Sequence, residues 1–353
     1  MSEENSVWSH CDWGRARHTR VTHASHTHPR PRARGRREPR PPRKRAAATR
    51  GGKNALRFRF RFRFGTMRAA LCHVLLGLCA CVAAAASGLF DSVALELSYE
   101  HYAEPRVLWL PAFLAMPCNC LVNAGYVAVG ALWLSRRASP GVDDGERALY
   151  VKDVFAAMAL AYGPVQWARL ATLARVPAVL DQWLTLPIFA WVPVWCRFVA
   201  RGWRPRDALV LQLCSLGSYA LALAHERGFE AALAAHVALA VQQGVALQRR
   251  HGDARSRRYL GAALLSCCGF LLLKALDLPL ARYRAFRHLT GHFWSKVCDV
   301  LQFHYSLCFL THVTRRARAP SSAPRRERRT QTENIRSGGT DETRGGVCVA
   351  GPQ

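Results

Sequence analysis

The sequence predicts an all-α membrane protein: a polytopic helix bundle of about eight (seven to eight) transmembrane helices, with disordered basic tails at both ends. The chain of 353 residues is 50% hydrophobic, yet 50 Lys and Arg stand against 23 Asp and Glu. The apolar residues gather in runs of about 20, the length that an α-helix needs to cross the hydrocarbon core. The basic residues gather in the tails and on alternate connections. This segregation excludes a soluble globular enzyme and an acidic disordered protein.

Residues 1–66 are a basic low-complexity extension with 18 Lys and Arg, 4 acidic residues and an Arg-Phe alternation from Arg57 to Phe64. Such a stretch buries too little apolar surface to fold, so we expect it to be disordered. A nucleic-acid arm, a nuclear signal and a transit peptide are the other interpretations. Because the first apolar run starts two residues after Met67, we interpret Met67 as the natural start. We expect the lipid bilayer, and no nucleic acid, to be the partner.

Eight apolar segments follow Met67 in chain order and define a transmembrane helical domain over residues 67–313. Their approximate bounds are 69–90, 110–134, 153–174, 178–199, 207–225, 229–248, 259–279 and 289–313. Several contain proline, which membrane helices tolerate where neighbouring helices satisfy the freed backbone groups. Residues 314–353, rich in Arg, Ser, Gly and Thr, are predicted to be a disordered cytoplasmic tail.

The charges between the segments predict their orientation. With the N-terminus in the cytoplasm, the cytoplasmic connections and the start of the tail hold 20 Lys and Arg, and the outer connections hold 7. The positive-inside rule requires such an asymmetry, so both termini are predicted to be cytoplasmic. In the alternative topology, the first segment is a signal peptide cleaved near Ser87, which leaves seven spans. The sequence does not distinguish an endomembrane from the plasma membrane as the location.

The positions of the cysteines favour a packing role over redox or metal chemistry. Of 13 cysteines, 11 fall inside apolar runs, where Cys acts as a small hydrophobic residue. The chain lacks paired CxxC motifs with zinc-ribbon spacing, a P-loop, GxSxG, HExxH and a dinucleotide fingerprint. The histidines of the last segment, His304 and His312, lack a clear third ligand. We therefore expect no metal, no cofactor and no catalytic residue.

Polar side chains in the outer half of the predicted membrane domain are the candidate site. A charge near the bilayer centre costs about 2.5–3.5 kcal/mol, so each one needs a partner or a function. The Lys-x-x-Asp spacing at residues 274–277 and 296–299 places each pair on one helix face. The candidate pocket residues are Asn119, Asn123, Gln166, Arg169, Asp181, Lys274, Asp277, His292, Lys296, Asp299 and His304. They form either a pocket open to the outer or lumenal side, or a network that only holds helices together.

Several long strings resemble the transmembrane protein 187 family. They include residues 110–117 (LPAFLAMP), 150–160 (YVKDVFAAMAL), 180–191 (LDQWLTLPIFAW) and 289–304 (LTGHFWSKVCDVLQFH). The resemblance covers most of residues 67–313 and begins near Met67. It implies a multi-pass membrane protein and leaves the biochemical activity open.

A more distant likeness concerns the alkaline ceramidases and adiponectin-type receptors, membrane proteins that bind zinc through histidines. Residues 119–123 (NCLVN) and 180–182 (LDQ) are similar to strings of that superfamily. Two ligand positions do not match, because the third segment has no His and Val300 stands four residues before His304. We therefore predict a non-enzymatic binding or structural role. The alternative is a transporter, or a degenerate hydrolase-like protein acting on lipid.

Overall fold

A computed structural model describes residues 47–98, 102, 104–136 and 145–318, with side chains from Gly65 onward. The chain divides into two units, Met1–Asn54 and Ala55–Gln353, and the helical bundle belongs to the second. The described residues are helical and contain no strand, which confirms the all-α prediction. Residues 1–46 and 319–353 lie outside the described part. The first helix begins at Ala47, inside the predicted extension, and the domain boundaries at residues 66 and 314 stay predictions.

Helices of very different length follow one another along the described chain. They are α1 Ala47–Ala86, α2 Pro117–Leu121, α3 Ala124–Ser135, α4 Gly145–Thr172, α5 Arg175–Arg201, α6 Pro205–Ser218, α7 Leu221–Ala224, α8 Gly228–His251, α9 Ala254–Ala275, α10 Asp277–Leu280 and α11 Gly291–Ala317. Two short 3-10 helices, Ala112–Leu114 and Arg284–Phe286, lie in the connections before α2 and α11. The second predicted segment therefore starts near Pro117 and not at residue 110, because residues 110–116 form a turn.

Seven stretches of the described residues are long and apolar enough to cross a membrane. They are Gly65–Ala86, Pro117–Ser135, Gly145–Thr172, Arg175–Arg201, Pro205–Ala224, Gly228–His251 and Ala254–Ala275. They correspond to the first seven predicted segments. The eighth prediction corresponds to α11, which is 27 residues long but is not among the seven. Its Lys, Asp and His side chains make it more polar than the others.

The bundle is organised around α5. This helix packs along α4, α6 and α8, and it buries Trp191 and Trp195 almost completely. The last helix packs mainly along α9 and also contacts α3, α4 and α5. Large apolar side chains on α6 and α9, such as Leu209 and Leu265, are exposed. An apolar outer surface is what a helix bundle presents to lipid.

Glycines let α3 and α4 approach closely. A Cβ atom at Gly130 would lie 2.7 Å from the carbonyl oxygen of Ala156, and one at Gly163 would lie 2.8 Å from the carbonyl oxygen of Asn123. Small residues at such contacts are typical of membrane helices, whose association depends on close packing. This contact aligns the polar side chains of α3 with those of α4.

Ionic contacts also fasten the end of the bundle that carries the α8–α9 connection, which we call the basic end. Asp253 caps α9 by accepting a hydrogen bond of 2.8 Å from the Ser256 N–H. The same carboxylate lies 3.0 Å from His312 Nε2 and 3.4 Å from Arg316 Nη1, both on α11. The Ser256 N–H and His312 hold the pKa of Asp253 well below its usual range. One aspartate thus joins α9 to α11.

Candidate functional site

Two buried aspartates organise the half of the bundle opposite the basic end. On α11, Asp299 accepts a hydrogen bond of 2.6 Å from the Tyr126 hydroxyl of α3. The Tyr126 ring meets the Tyr162 ring of α4 edge to face, with 5.3 Å between centroids. A buried carboxylate needs such a donor. The bond joins the polar faces of α3 and α11, which are far apart in the sequence.

The second aspartate, Asp181 on α5, has partners on α4. Its Oδ2 lies 2.5 Å from Arg169 Nη1, and its Oδ1 accepts a 3.0 Å hydrogen bond from the Tyr162 hydroxyl. Thr185 lies 3.0 Å from that hydroxyl. Arg169 also donates through Nη2 to the carbonyl oxygen of Glu96, at 3.1 Å. Asp181 therefore has a full set of partners, and it fastens α5 to α4.

Lys296 lies between these two groups and differs from both. Its side chain is 6% exposed, and its Nζ is 5.9 Å from the centroid of the Tyr162 ring. No described residue forms a hydrogen bond or a salt bridge with this ammonium. We refer to Tyr126, Tyr162, Arg169, Asp181, Lys296 and Asp299 together as the polar centre. Within the polar centre, the N–H groups of Lys296 donate a hydrogen bond to no described residue.

Side-chain amides add further unpaired polar atoms in the same half. Asn119 is 1% exposed, and neither its Nδ2 nor its Oδ1 has a hydrogen-bond partner among the described residues. The same is true of Asn123 Oδ1, Gln166 Nε2 and Arg169 Nε. A buried polar atom without a partner costs about 1–3 kcal/mol. These atoms can donate to, and accept from, a group held between the helices.

The two Lys-x-x-Asp pairs do not form the intrahelical salt bridges that their spacing allows. All four residues are described, and no contact within 4.0 Å joins Lys274 to Asp277 or Lys296 to Asp299. Asp277 instead accepts a 2.8 Å hydrogen bond from the His292 N–H at the start of α11. Burial raises the pKa of the Asp277 carboxyl to about 6, although the His292 and Gly291 N–H groups oppose the shift. The Lys274 side chain, on α9, is exposed, and its charge nevertheless acts on Asp181 and Asp299.

The candidate histidines lie apart from the polar centre's hydrogen bonds. His304 Nδ1 accepts a 3.4 Å hydrogen bond from Trp133 Nε1, and its Nε2 is 3.5 Å from Cys308 Sγ. The buried His292 ring packs edge to face on Tyr102, 4.8 Å between centroids. Among the described residues, no three His, Cys, Asp or Glu side chains are grouped as metal ligands would be.

The Glu104 carboxylate, in the loop before α2, holds the backbone that carries the Asn119 amide. Glu104 accepts hydrogen bonds of 2.9 Å from the N–H groups of Cys118 and Asn119, and so caps α2. Burial raises the pKa of Glu104 above its ordinary value, and the two N–H groups oppose that shift. Glu104 therefore fixes the short helix that carries Asn119.

Sequence reasoning missed the tyrosines that join the centre. A tyrosine in an apolar segment is usually assigned to the membrane interface, and Tyr126 and Tyr162 were not among the candidates. The signal that identifies them is depth, because both lie well inside the apolar stretches Pro117–Ser135 and Gly145–Thr172. Their hydroxyls are the donors that Asp299 and Asp181 require.

Comparison with known proteins is consistent with this architecture. A family model described as the TMEM187 protein family matches residues 70–311. Transmembrane protein 187 from Homo sapiens is 56% identical over 243 residues, which cover 69% of this chain and 92% of the relative. Transmembrane protein 187 from Bos taurus is 54% identical over 244 residues, which cover 69% and 95%. No solved structure matches the chain significantly. The chain therefore belongs to the TMEM187 family of membrane proteins, as the resemblance of its longest strings predicted.

Proposed function

We propose that this protein is a non-enzymatic membrane protein that binds a neutral, oxygen-bearing group of a lipid in its polar centre. The observation that carries the proposal is the Lys296 ammonium, which is 6% exposed and has no acceptor among the described residues. A lysine at membrane depth costs about 2.5–3.5 kcal/mol even in favourable insertion experiments. An oxygen atom supplied by a ligand would offset that cost.

The charges of the centre favour a neutral ligand. Within the polar centre, Arg169 and Lys296 balance Asp181 and Asp299, and the charge of Lys274 on α9 also acts on both aspartates. An anionic ligand at Lys296 would also lie near two carboxylates and would be repelled at low dielectric. The unpaired amides of Asn119 and Gln166 can donate and accept, which suits a hydroxyl or amide group. Such groups occur on lipids that reach the bundle from the bilayer.

The partners of the two aspartates support a non-enzymatic role. A general acid or base has to reach the proton that it transfers. Asp299 is bonded to Tyr126, and Asp181 is bonded to both Arg169 and Tyr162. Transport and lipid hydrolysis remain as the alternatives. Substrate uptake or lipid cleavage that depends on Asp299 would contradict this proposal in favour of one of them.

The test compares lipids that copurify with the wild-type chain, Lys296→Met and Lys296→Arg. Lipids are extracted from equal amounts of each folded protein and quantified by mass spectrometry. We expect Lys296→Met to lose a specific neutral lipid and Lys296→Arg to retain part of it, because arginine keeps the donors. Arg258→Met is the matched control, since Arg258 is exposed near the start of α9 and lies outside the polar centre. Equal lipid content in all four proteins would overturn the proposal.

We further propose that both termini face the cytoplasm, which puts the polar centre in the outer or lumenal half of the membrane. The excess of Lys and Arg on alternate connections supports this orientation. A glycosylation acceptor made by Leu108→Asn with Leu110→Thr is expected to be modified, because Leu108 is exposed in an outer connection. The matched acceptor, Gly252→Asn with Ala254→Thr at the basic end, is expected to stay unmodified. The reverse pattern would refute the orientation.

A further inference from the structure

A second pocket lies at the basic end, inside the turn between α5 and α6. It is a shallow concavity with only about 10 Å³ of internal space, and Arg197, Arg201, Arg204 and Asp207 are among its lining residues. The chain reverses here within three residues because Gly202, at the end of α5, adopts a φ of 81°, a conformation that favours glycine. Pro205 then starts α6. The turn therefore brings arginines from both sides of it to one concavity.

The three arginines of this pocket are not neutralised by the rest of the described chain. None of them forms a hydrogen bond or a salt bridge with another described residue. Arg169 and Arg316, by contrast, are paired with Asp181 and Asp253. The pocket lining contains one acidic residue, Asp207. The arginines exceed it by two charges, so the concavity favours an anion.

The start of α6 lies at the same pocket, and its N–H groups begin at Arg206, because Pro205 has none. Its N-terminus has no side-chain cap, and the first N–H groups of a helix have no acceptor within the helix. The helix dipole also places partial positive charge there. Phosphate oxygens are well suited to such a site, and the guanidinium group binds phosphate through two parallel hydrogen bonds.

Trp203 gives the pocket a fixed aromatic wall. Its ring packs edge to face on Phe198 and on Tyr150 of α4, with centroid distances of 6.2 Å and 5.5 Å. Tryptophan at the end of a membrane helix is typical of the interface between headgroups and acyl chains. The pocket is therefore at the depth where a lipid headgroup would meet it.

We propose that the α5–α6 turn binds the phosphate of an anionic lipid headgroup through Arg197, Arg201 and Arg204. The proposal is separate from the polar centre and does not depend on it, because the two sites use different residues. Phosphate on a lipid and phosphate on a soluble metabolite share the same chemistry. Membrane depth favours the lipid as the source.

The test uses the purified full chain in phosphatidylcholine nanodiscs with or without phosphatidic acid, and measures binding of a fluorescent phosphatidic acid. The triple variant R197Q/R201Q/R204Q is expected to weaken binding by roughly 100-fold, from about fivefold for each basic residue near an anionic surface. The triple variant R197K/R201K/R204K keeps the charge and is expected to retain part of the affinity. If both variants bind like the wild type, the site does not exist.

The matched control separates this pocket from general attraction to basic residues. R249Q/R250Q/R257Q removes three charges from the α8–α9 end, where these residues do not line the pocket. An equal loss of affinity in this control would overturn the proposal, because the effect would then be nonspecific. Glycerol 3-phosphate serves as the soluble competitor. Competition at concentrations similar to those of the lipid would assign the site to soluble phosphates, and its absence would assign it to the lipid.

Discussion

Two buried lysines, at opposite ends of the bundle, differ in what surrounds them. Lys152 on α4 is 5% exposed and Lys296 on α11 is 6% exposed, so the two residues are buried to a similar degree. Lys152 Nζ donates to the carbonyl oxygen of Trp133 at 2.6 Å and lies 2.6 Å from Asp153 Oδ1. Lys296 has no such contact with the described residues. Equal burial therefore conceals two different environments.

The contrast indicates which polar groups hold the bundle and which are available to a ligand. Lys152 satisfies carbonyl groups at the end of α3, where the helix has no further N–H donors to offer. It therefore acts as a structural cap. Lys296 lies in the same half of the bundle as the unpaired amide of Asn119, and we propose that it is a binding group. The following substitutions test this distinction, in order of decreasing effect.

Lys152→Met is expected to be the most destabilising change. It leaves Asp153 buried without its cation, and breaking a buried ion pair on one side costs about 3–5 kcal/mol. Thermal unfolding of the purified protein measures the effect as a lower Tm and a lower yield. Arg147→Met is the control on the same helix, because Arg147 is exposed. Similar Tm values for the two variants would remove the distinction between the lysines.

Tyr126→Phe is expected to cost about 1–3 kcal/mol, because it leaves the Asp299 carboxylate without its 2.6 Å donor. The phenyl ring is retained, so its packing on Tyr162 and Phe303 is preserved. The loss is measured by thermal unfolding in the same detergent. Tyr305→Phe, six residues after Asp299 on α11, is expected to have little effect. An unchanged Tm in Tyr126→Phe would show that another donor stabilises the Asp299 carboxylate.

Lys296→Met is expected to cost less stability than Lys152→Met, because no direct ion pair is broken, although its charge also acts on Asp181 and Asp299. Its effect should appear mainly in bound lipid and less in Tm. Both quantities are measured on one preparation, next to Lys296→Arg. A loss of Tm as large as that of Lys152→Met would assign Lys296 to the structural class.

Asp277 gives the smallest predicted effect, a pH dependence. Burial raises the pKa of its carboxyl to about 6, so the folded protein holds this proton more tightly than the unfolded chain, whose Asp pKa is about 4. The stability that the proton contributes is complete below about pH 4, and is lost as the pH rises to about 6. Asp277→Asn should remove this decline in Tm while keeping an oxygen for the His292 N–H. An unchanged pH profile in the variant would contradict the assignment.

The helices could be predicted because each is a long apolar run between charged connections. The difference at the second segment has a physical reason: Leu110 to Met116 is apolar, but Pro111 and Pro117 interrupt it, and the chain forms a 3-10 turn there. The polarity of α11 also explains why a hydropathy criterion excludes it although it packs along α9. The lengths of the apolar runs predict the fold better than they predict where each helix ends.

The candidate site could be predicted only as a set of residues. The sequence places Asp181, Lys296 and Asp299 in one half of the membrane, which follows from depth along each helix. It does not reveal that Asp299 pairs with Tyr126 and Asp181 with Arg169, because those contacts depend on helix rotation and packing. Spacing of three residues favours an intrahelical pair, whereas the three-dimensional arrangement brings donors from other helices closer.

The most direct test of the central claim is an experimental structure of the full chain in nanodiscs made with native lipids. The account predicts non-protein density within hydrogen-bond distance of Lys296 Nζ, extending toward the Asn119 amide. The same preparation of Lys296→Met should lack that density while its helices superimpose on those of the wild type. Lys296 bonded directly to Asp299 or Asp181, with no density beside it, would contradict the account and make the polar centre a purely structural network.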